Sequence, residues 1–145
     1  MNYLVDTNIL LRLIESRSPH YAEAKNAVDK LLKNGDTLFL TLQNISEFWN
    51  VCTRPKENNG LGFSIVQTDA ELSKIEKAFD LLPDTEEVYR NWRELVVKHS
   101  ISGVKVHDAK IVAAMKAYNI QNLLTFNAKD FKRYSGIKAV ESKAV

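Results

Sequence analysis

Apolar and polar positions along the chain follow two alternating periods. Asn2-Tyr3-Leu4-Val5 is a short apolar run that stops at Asp6-Thr7-Asn8, the pattern of a buried strand ending in a polar turn. Residues 9–14 then begin a helix. A second helix starts at Ser18-Pro19, carries Ala24, Ala27, Val28, Leu31 and Leu32 at helical spacing, and closes at Asn34-Gly35. Thr37–Thr41 repeats the strand pattern. Leu42–Thr53 returns to helical spacing with Ile45, Phe48, Trp49 and Cys52 on one face, which leaves Glu47 off the centre of that stripe.

Pro55, Asn58, Asn59, Gly60 and Gly62 make residues 54–64 a loop. The pattern predicts a helix over 69–78 and a third strand over 79–82, stopped by Pro83. Residues 84–99 read as a charged helix with Val88, Trp92, Leu95 and Val96 facing inward, and Ser102-Gly103 breaks the chain after it. The helix predicted over 107–119 is apolar on all sides between 111 and 115, so it should be buried on several faces. Asn122–Thr125 and 137–140 complete five strands. Strands alternating with helices predict an α/β fold with a parallel sheet between helical layers.

Composition narrows the class. A length of 145 residues suits a single domain, 1–145, and 45% hydrophobic content supports a real core. Cys52 is the only cysteine, which rules out an intrachain disulfide and a cysteine-rich zinc module. Lys and Arg number 20 against 18 Asp and Glu, and a net charge of +2 is too small to mark a polybasic nucleic-acid binder. It leaves room for a local patch, since set apart from a few clustered acids the remaining chain is more basic than the total. The N-terminal segment has Asp6, Asn8 and Arg12 but no basic leader or cleavage site, and no apolar run approaches the ~20 residues of a membrane span. A reducing, cytoplasmic setting away from membranes is expected.

Ligands of open parallel sheets bind beyond the carboxyl ends of the strands, so the residues following each strand hold the candidate chemistry. Asp6 follows the first strand, and Glu47 stands about two turns into the helix after the second. Asp108 opens the apolar helix, and Asn127 and Asp130 lie beyond the fourth strand. Each taken alone has a local explanation. Asp6 suits a helix cap, Glu47 a solvated helix face, Asp108 a helix dipole and Asp130 a turn. Together they suggest more. Carboxylates gathered at one edge repel one another unless a cation neutralises them. Oxygen ligands with few histidines suit Mg²⁺ or Mn²⁺ rather than Zn²⁺, and Mg²⁺ commonly joins one or two carboxylates to a phosphate. The residues therefore point to metal-dependent phosphodiester hydrolysis.

With these residues in place, the chain resembles the PIN-domain family, and within it the VapC-type toxins of bacterial toxin–antitoxin pairs. The matching pieces are Val5-Asp6-Thr7-Asn8, Asn44-Ile45-Ser46-Glu47-Phe48, His107-Asp108-Ala109 and the stretch from Leu123 through Thr125, Asn127 and Asp130 to Phe131, in that order. The resemblance implies a three-layer α/β/α sandwich around a central, mostly parallel five-stranded sheet. It also implies a Mg²⁺- or Mn²⁺-dependent ribonuclease, a cognate antitoxin that covers the site, and a homodimer. The three acids of the family pattern fall on Asp6, Glu47 and Asp108 as catalytic metal ligands. Thr7, and after it Ser46 and Thr125, would supply hydroxyls of the kind that orient such ligands; a turn hydroxyl serving local backbone is the alternative at Thr7 and Thr125, and an equal one at Thr125.

One position departs from the family pattern. The fourth acid often stands two residues after the threonine ending the fourth strand, and here that residue is Asn127. An amide oxygen brings no charge, so the site is expected to hold one ion firmly and a second weakly, with Asp130 as the alternative fourth ligand. Arg54, Lys56 and Lys110 are the candidate substrate contacts, balanced against an ordinary solvated loop and helix face. Trp49 and Trp92 sit at core spacing, and His20, His99 and His107 form no helical ligand pair. Two competing readings remain. One is a PIN-fold scaffold that binds RNA or protein without cutting. The other is a receiver-like signalling domain, disfavoured because Asp6 is followed by Thr7-Asn8 and the third strand runs into Pro83.

Overall fold

In the computed structural model, which describes residues 1–145, strand β1 (Asn2–Val5) sends Tyr3 and Val5 to one side of a sheet and Leu4 to the other. All three are buried, which explains why the strand reads as an unbroken apolar run. The other strands are β2 (Thr37–Thr41), β3 (Asp80–Leu82), β4 (Asn122–Thr125) and β5 (Lys138–Glu141), in the spatial order β3-β2-β1-β4-β5. Every adjacent pair is parallel, with Leu4 opposite both Phe39 and Leu123. The sheet expected to be mostly parallel is entirely so.

Helices α1 (Thr7–Leu13), α2 (Tyr21–Lys33), α3 (Leu42–Thr53) and α4 (Ile65–Ala78) cover one face. Their Ile9, Leu10, Val28, Leu31, Phe48 and Ile75 pack against Val5, Leu38, Leu40 and Leu124. Helices α5 (Glu86–Lys98) and α6 (Val106–Ala117) cover the other face, where Val88 and Leu95 meet residues 111–115 of α6 against Leu4 and Leu123. This is the three-layer α/β/α sandwich. All five residues 111–115 are buried, as their uninterrupted apolar character requires. Cys52 is also buried, and burial pushes its thiol up to about 11, so it packs as a small apolar group.

Some helix starts differ from the sequence expectation, those of α1 and α4 because a side chain caps the backbone earlier. α1 begins at Thr7 rather than 9 because extended Asp6 accepts the Thr7 N–H. α4 begins at Ile65 rather than 69 because Ser64 Oγ accepts from the Gln67 N–H. α2 starts later, at Tyr21, since Ser18-Pro19-His20 form a turn in which the Ser18 hydroxyl accepts from the His20 N–H. No helix is long and apolar enough to cross a membrane.

Candidate active site

The chain leaves β1 toward β2 and β3 on one side and later returns to β4 and β5 on the other. The order therefore reverses between β1 and β4, the crevice where open parallel sheets bind ligands. Asp6 ends β1 and Thr125 ends β4, and the two meet across that crevice. Thr125 Oγ1 donates to Asp6 Oδ2 at 2.8 Å, while Asp6 Oδ1 accepts the Thr7 N–H at 2.8 Å. Asn8 Nδ2 adds a longer contact to Asp6 Oδ2 at 3.4 Å. Asp6 is thus a helix cap and a crevice carboxylate at once; the two readings of it are compatible.

A second chain of bonds fixes Glu47. The capping box at the start of α3 pairs Thr41 with Asn44, whose Oδ1 accepts the Thr41 N–H at 2.8 Å. With its oxygen occupied, the Asn44 amide nitrogen donates to Thr7 Oγ1 at 3.1 Å. Thr7 must then turn its own proton outward, and it donates to Glu47 Oε2 at 3.0 Å. Asn44, Thr7 and Thr41 are all buried, so this relay is shielded from competing water. Helical geometry alone leaves Glu47 beside the apolar stripe of α3, and the relay turns it toward Thr7.

Asp108 lies in the first turn of α6, half-buried, with Lys105 Nζ 3.7 Å from its Oδ2. Lys105 also reaches Asp130 at 3.5 Å, on the short 3-10 turn Ala128–Phe131 that follows β4. Asn127 is exposed, and its backbone N–H donates to Thr125 Oγ1 at 3.0 Å.

The electrostatics show charge short of compensation. Burial pushes the Asp6 carboxyl up to about 6, against the bonds from Thr125 and Thr7, and repulsion from Asp108 and Glu47 adds to the rise. Asp108 is raised mainly by burial, held back by the Lys105 ammonium, and pushed further by Asp130. The donor set, oxygen only and net negative, fits a hard divalent cation. As placed, each carboxylate faces a hydrogen-bond donor or an ammonium, and no three of them close around one point. The Asp6 and Glu47 oxygens that accept from Thr125 and Thr7 each keep a second lone pair, so an ion could be held with those bonds in place, whereas Asp108 would have to turn from Lys105 to join them.

The basic residues expected to meet substrate lie apart from this relay. Arg54 Nη2 donates to the Asn59 carbonyl at 3.0 Å and braces its own loop. Gly60 packs so tightly against that backbone that a Cβ would stand 1.9 Å from the Arg54 carbonyl oxygen. Lys56 lines a shallow depression with Arg17, Leu61 and Phe63. Lys110 pairs with Asp84 at 3.0 Å. Ser46 is exposed on the wall of a cleft of about 810 Å³ formed with Glu47, Leu42, Tyr89 and Val106. Trp92 also borders it, its indole N–H fixed on the Val106 carbonyl at 2.8 Å, a packing role. His20 and His99 lie against Phe126 and Tyr134, and His107 is exposed on α6. Sequence reasoning missed the roles of Asn44, Asn8 and Lys105. The Thr41-x-x-Asn44 capping spacing and the three-residue step from Lys105 to Asp108 were the available signals.

Comparison with known proteins agrees with this fold. The family model described as PIN domain matches residues 3–137. No curated protein sequence matches the chain. Among solved structures, VapBC2 from Rickettsia felis bound to a promoter DNA fragment is similar over 97% of this chain and 98% of that chain, at 20% identity and a TM-score of 0.73. A toxin–antitoxin complex from Klebsiella pneumoniae matches over 99% of both chains, at 22% identity and a TM-score of 0.67. VapC20 of Mycobacterium tuberculosis, a sarcin-ricin loop cleaving toxin, matches over 83% of this chain and 86% of that chain, at 18% identity and a TM-score of 0.62. With the family model covering nearly its whole length, the chain belongs to the PIN-domain family.

Proposed function

We propose that this chain is a Mg²⁺- or Mn²⁺-dependent endoribonuclease and the toxin of a toxin–antitoxin pair. The observation that carries the reading is the half-buried Asp6 carboxylate at the switch point, held by Thr125 and the Thr7 N–H and raised to about 6, with Glu47 and Asp108 near enough to add to the rise. Asp6, Glu47 and Asp108 would hold the ion, which supplies an activated water and positive charge against the RNA phosphate. Thr125 and Thr7 each hold one carboxylate oxygen by a donated hydrogen bond, so Asp6 and Glu47 present their lone pairs in fixed directions. Structurally similar chains come from toxin–antitoxin complexes, and another is a toxin that cleaves the sarcin-ricin loop, which supports extending both partner and substrate class to this chain.

The test is cleavage of single-stranded and structured RNAs by the purified protein in Mg²⁺, Mn²⁺ or EDTA, beside Asp6→Asn and Asp108→Asn. Cutting is expected only with a divalent ion and should fall by about 10²-fold or more in either variant. A second reading, a PIN-fold scaffold that binds RNA without cutting, is favoured by the uncharged, exposed Asn127 at the family's fourth acid position. RNA binding with no cutting in any metal would select it.

A further inference from the structure

Lys105 is the one basic side chain that pairs with two of the candidate acids, 3.7 Å from Asp108 Oδ2 and 3.5 Å from Asp130 Oδ1. It sits on the 3-10 turn Gly103–Lys105 immediately before α6, three residues ahead of Asp108, so the turn fixes where its stem begins. The next lysine along α6, Lys110, is taken by Asp84. Asn127, at the family's fourth acid position, brings no charge.

We propose that Lys105 is a built-in second cation that limits the site formed by Asp6, Glu47, Asp108 and Asp130 to one divalent ion. The inference rests on the metal-dependent reading above and deepens it. On the Asp108–Asp130 side, two carboxylates and one ammonium leave a single net negative charge. A divalent ion keeps its waters reluctantly shed and needs one or two free carboxylates to bind there. An ammonium about 4 Å from the same oxygens both neutralises them and repels the incoming ion. A lysine suits this role because its charge is compact and its stem is flexible, so it covers two acids that lie on different elements. The ammonium faces Oδ2 of Asp108 and leaves Oδ1 for the first ion, so removing it while keeping the stem would leave that Oδ2 and Asp130 open to a second ion. The pair is partly solvated, with Lys105 46% exposed, so its loss should cost little stability.

The experiment counts bound Mn²⁺ by electron paramagnetic resonance and calorimetry, with no RNA present, in wild type, Lys105→Met, Lys105→Arg and Asp6→Asn. Wild type and Lys105→Arg should bind one ion per chain. Lys105→Met should bind two, its second site at least about tenfold tighter than any second site in wild type. Two ions in wild type, or one ion in Lys105→Met, would overturn the role of Lys105. Loss of the first ion in Asp6→Asn is a separate readout: if that ion persists unchanged, the metal site at Asp6, and with it the proposed function, fails whatever Lys105 does.

Discussion

The interior of α6 and the relay behind Glu47 are equally buried but built on opposite principles. Residues 111–115 are apolar, lie in one stretch of chain, and fill the space between the sheet and α5. Thr7, Thr41 and Asn44 are polar, come from two distant stretches, and are stable inside only because each donor finds an acceptor. One region tolerates any side chain of matching shape, whereas the other tolerates only a matching set of hydrogen bonds. The comparison separates what holds this fold from what aims its carboxylates.

The largest stability effect is expected in the apolar region. Met115 is fully buried among Leu123, Val112 and their neighbours, and Met115→Ala should cost about 2–5 kcal/mol by loss of contact plus the cavity left behind. Urea unfolding measures the cost, and Mn²⁺ affinity of the folded fraction should be unchanged. If affinity falls along with stability, the two regions are coupled and the separation argued above is wrong.

Asn44→Ala should come next, at about 2–4 kcal/mol, because it leaves the buried Thr41 N–H without an acceptor and Thr7 without its donor. Here Mn²⁺ affinity should drop as well, since Thr7 loses the partner that directs its proton to Glu47. Calorimetry at a temperature where the variant is fully folded distinguishes this from simple destabilisation. Unchanged affinity would mean the relay supports the fold and does not aim Glu47.

The same contrast explains what could be read from the chain. All five strands and six helices were legible because burial on two faces imposes unbroken apolar runs and burial on one face imposes helical spacing. Residues 111–115 announce their position with no knowledge of their neighbours. The gathering of Asp6, Glu47 and Asp108 at one edge was legible through the rule that strand ends face the ligand crevice, helped by the family resemblance. The relay was not, because hydrogen bonds between residues 7, 44 and 47 have no sequence period, and the Thr125 bond to Asp6 spans most of the chain. The start of α4 was missed for a related reason: Ser64 looked like the end of a polar loop, and its capping bond is visible only in three dimensions.

The smallest effect carries the opposite sign. Asp6 has a pKa of about 6 in the folded chain against 3.8 for the free side chain, so the folded state holds its proton more tightly than the unfolded state. Stability therefore falls as pH rises from about 4 to about 6 and stays reduced above that range. Asn at this position keeps the size and the helix-capping oxygen but carries no charge. Asp6→Asn should stabilise the metal-free protein by about 1–3 kcal/mol at pH 7.5, and the gain should vanish below about pH 4. Urea unfolding in EDTA at the two pH values reads both numbers. Adding Mg²⁺ should then raise the stability of wild type and leave the variant nearly where it was, because only the charged carboxylate gains from the ion. A gain that is equal at both pH values would mean that Asn is simply a better cap. A variant less stable than wild type at pH 7.5 would mean that the bonds from Thr125 and Thr7 outweigh the burial of the charge, and that Asp6 belongs with the groups that hold the fold.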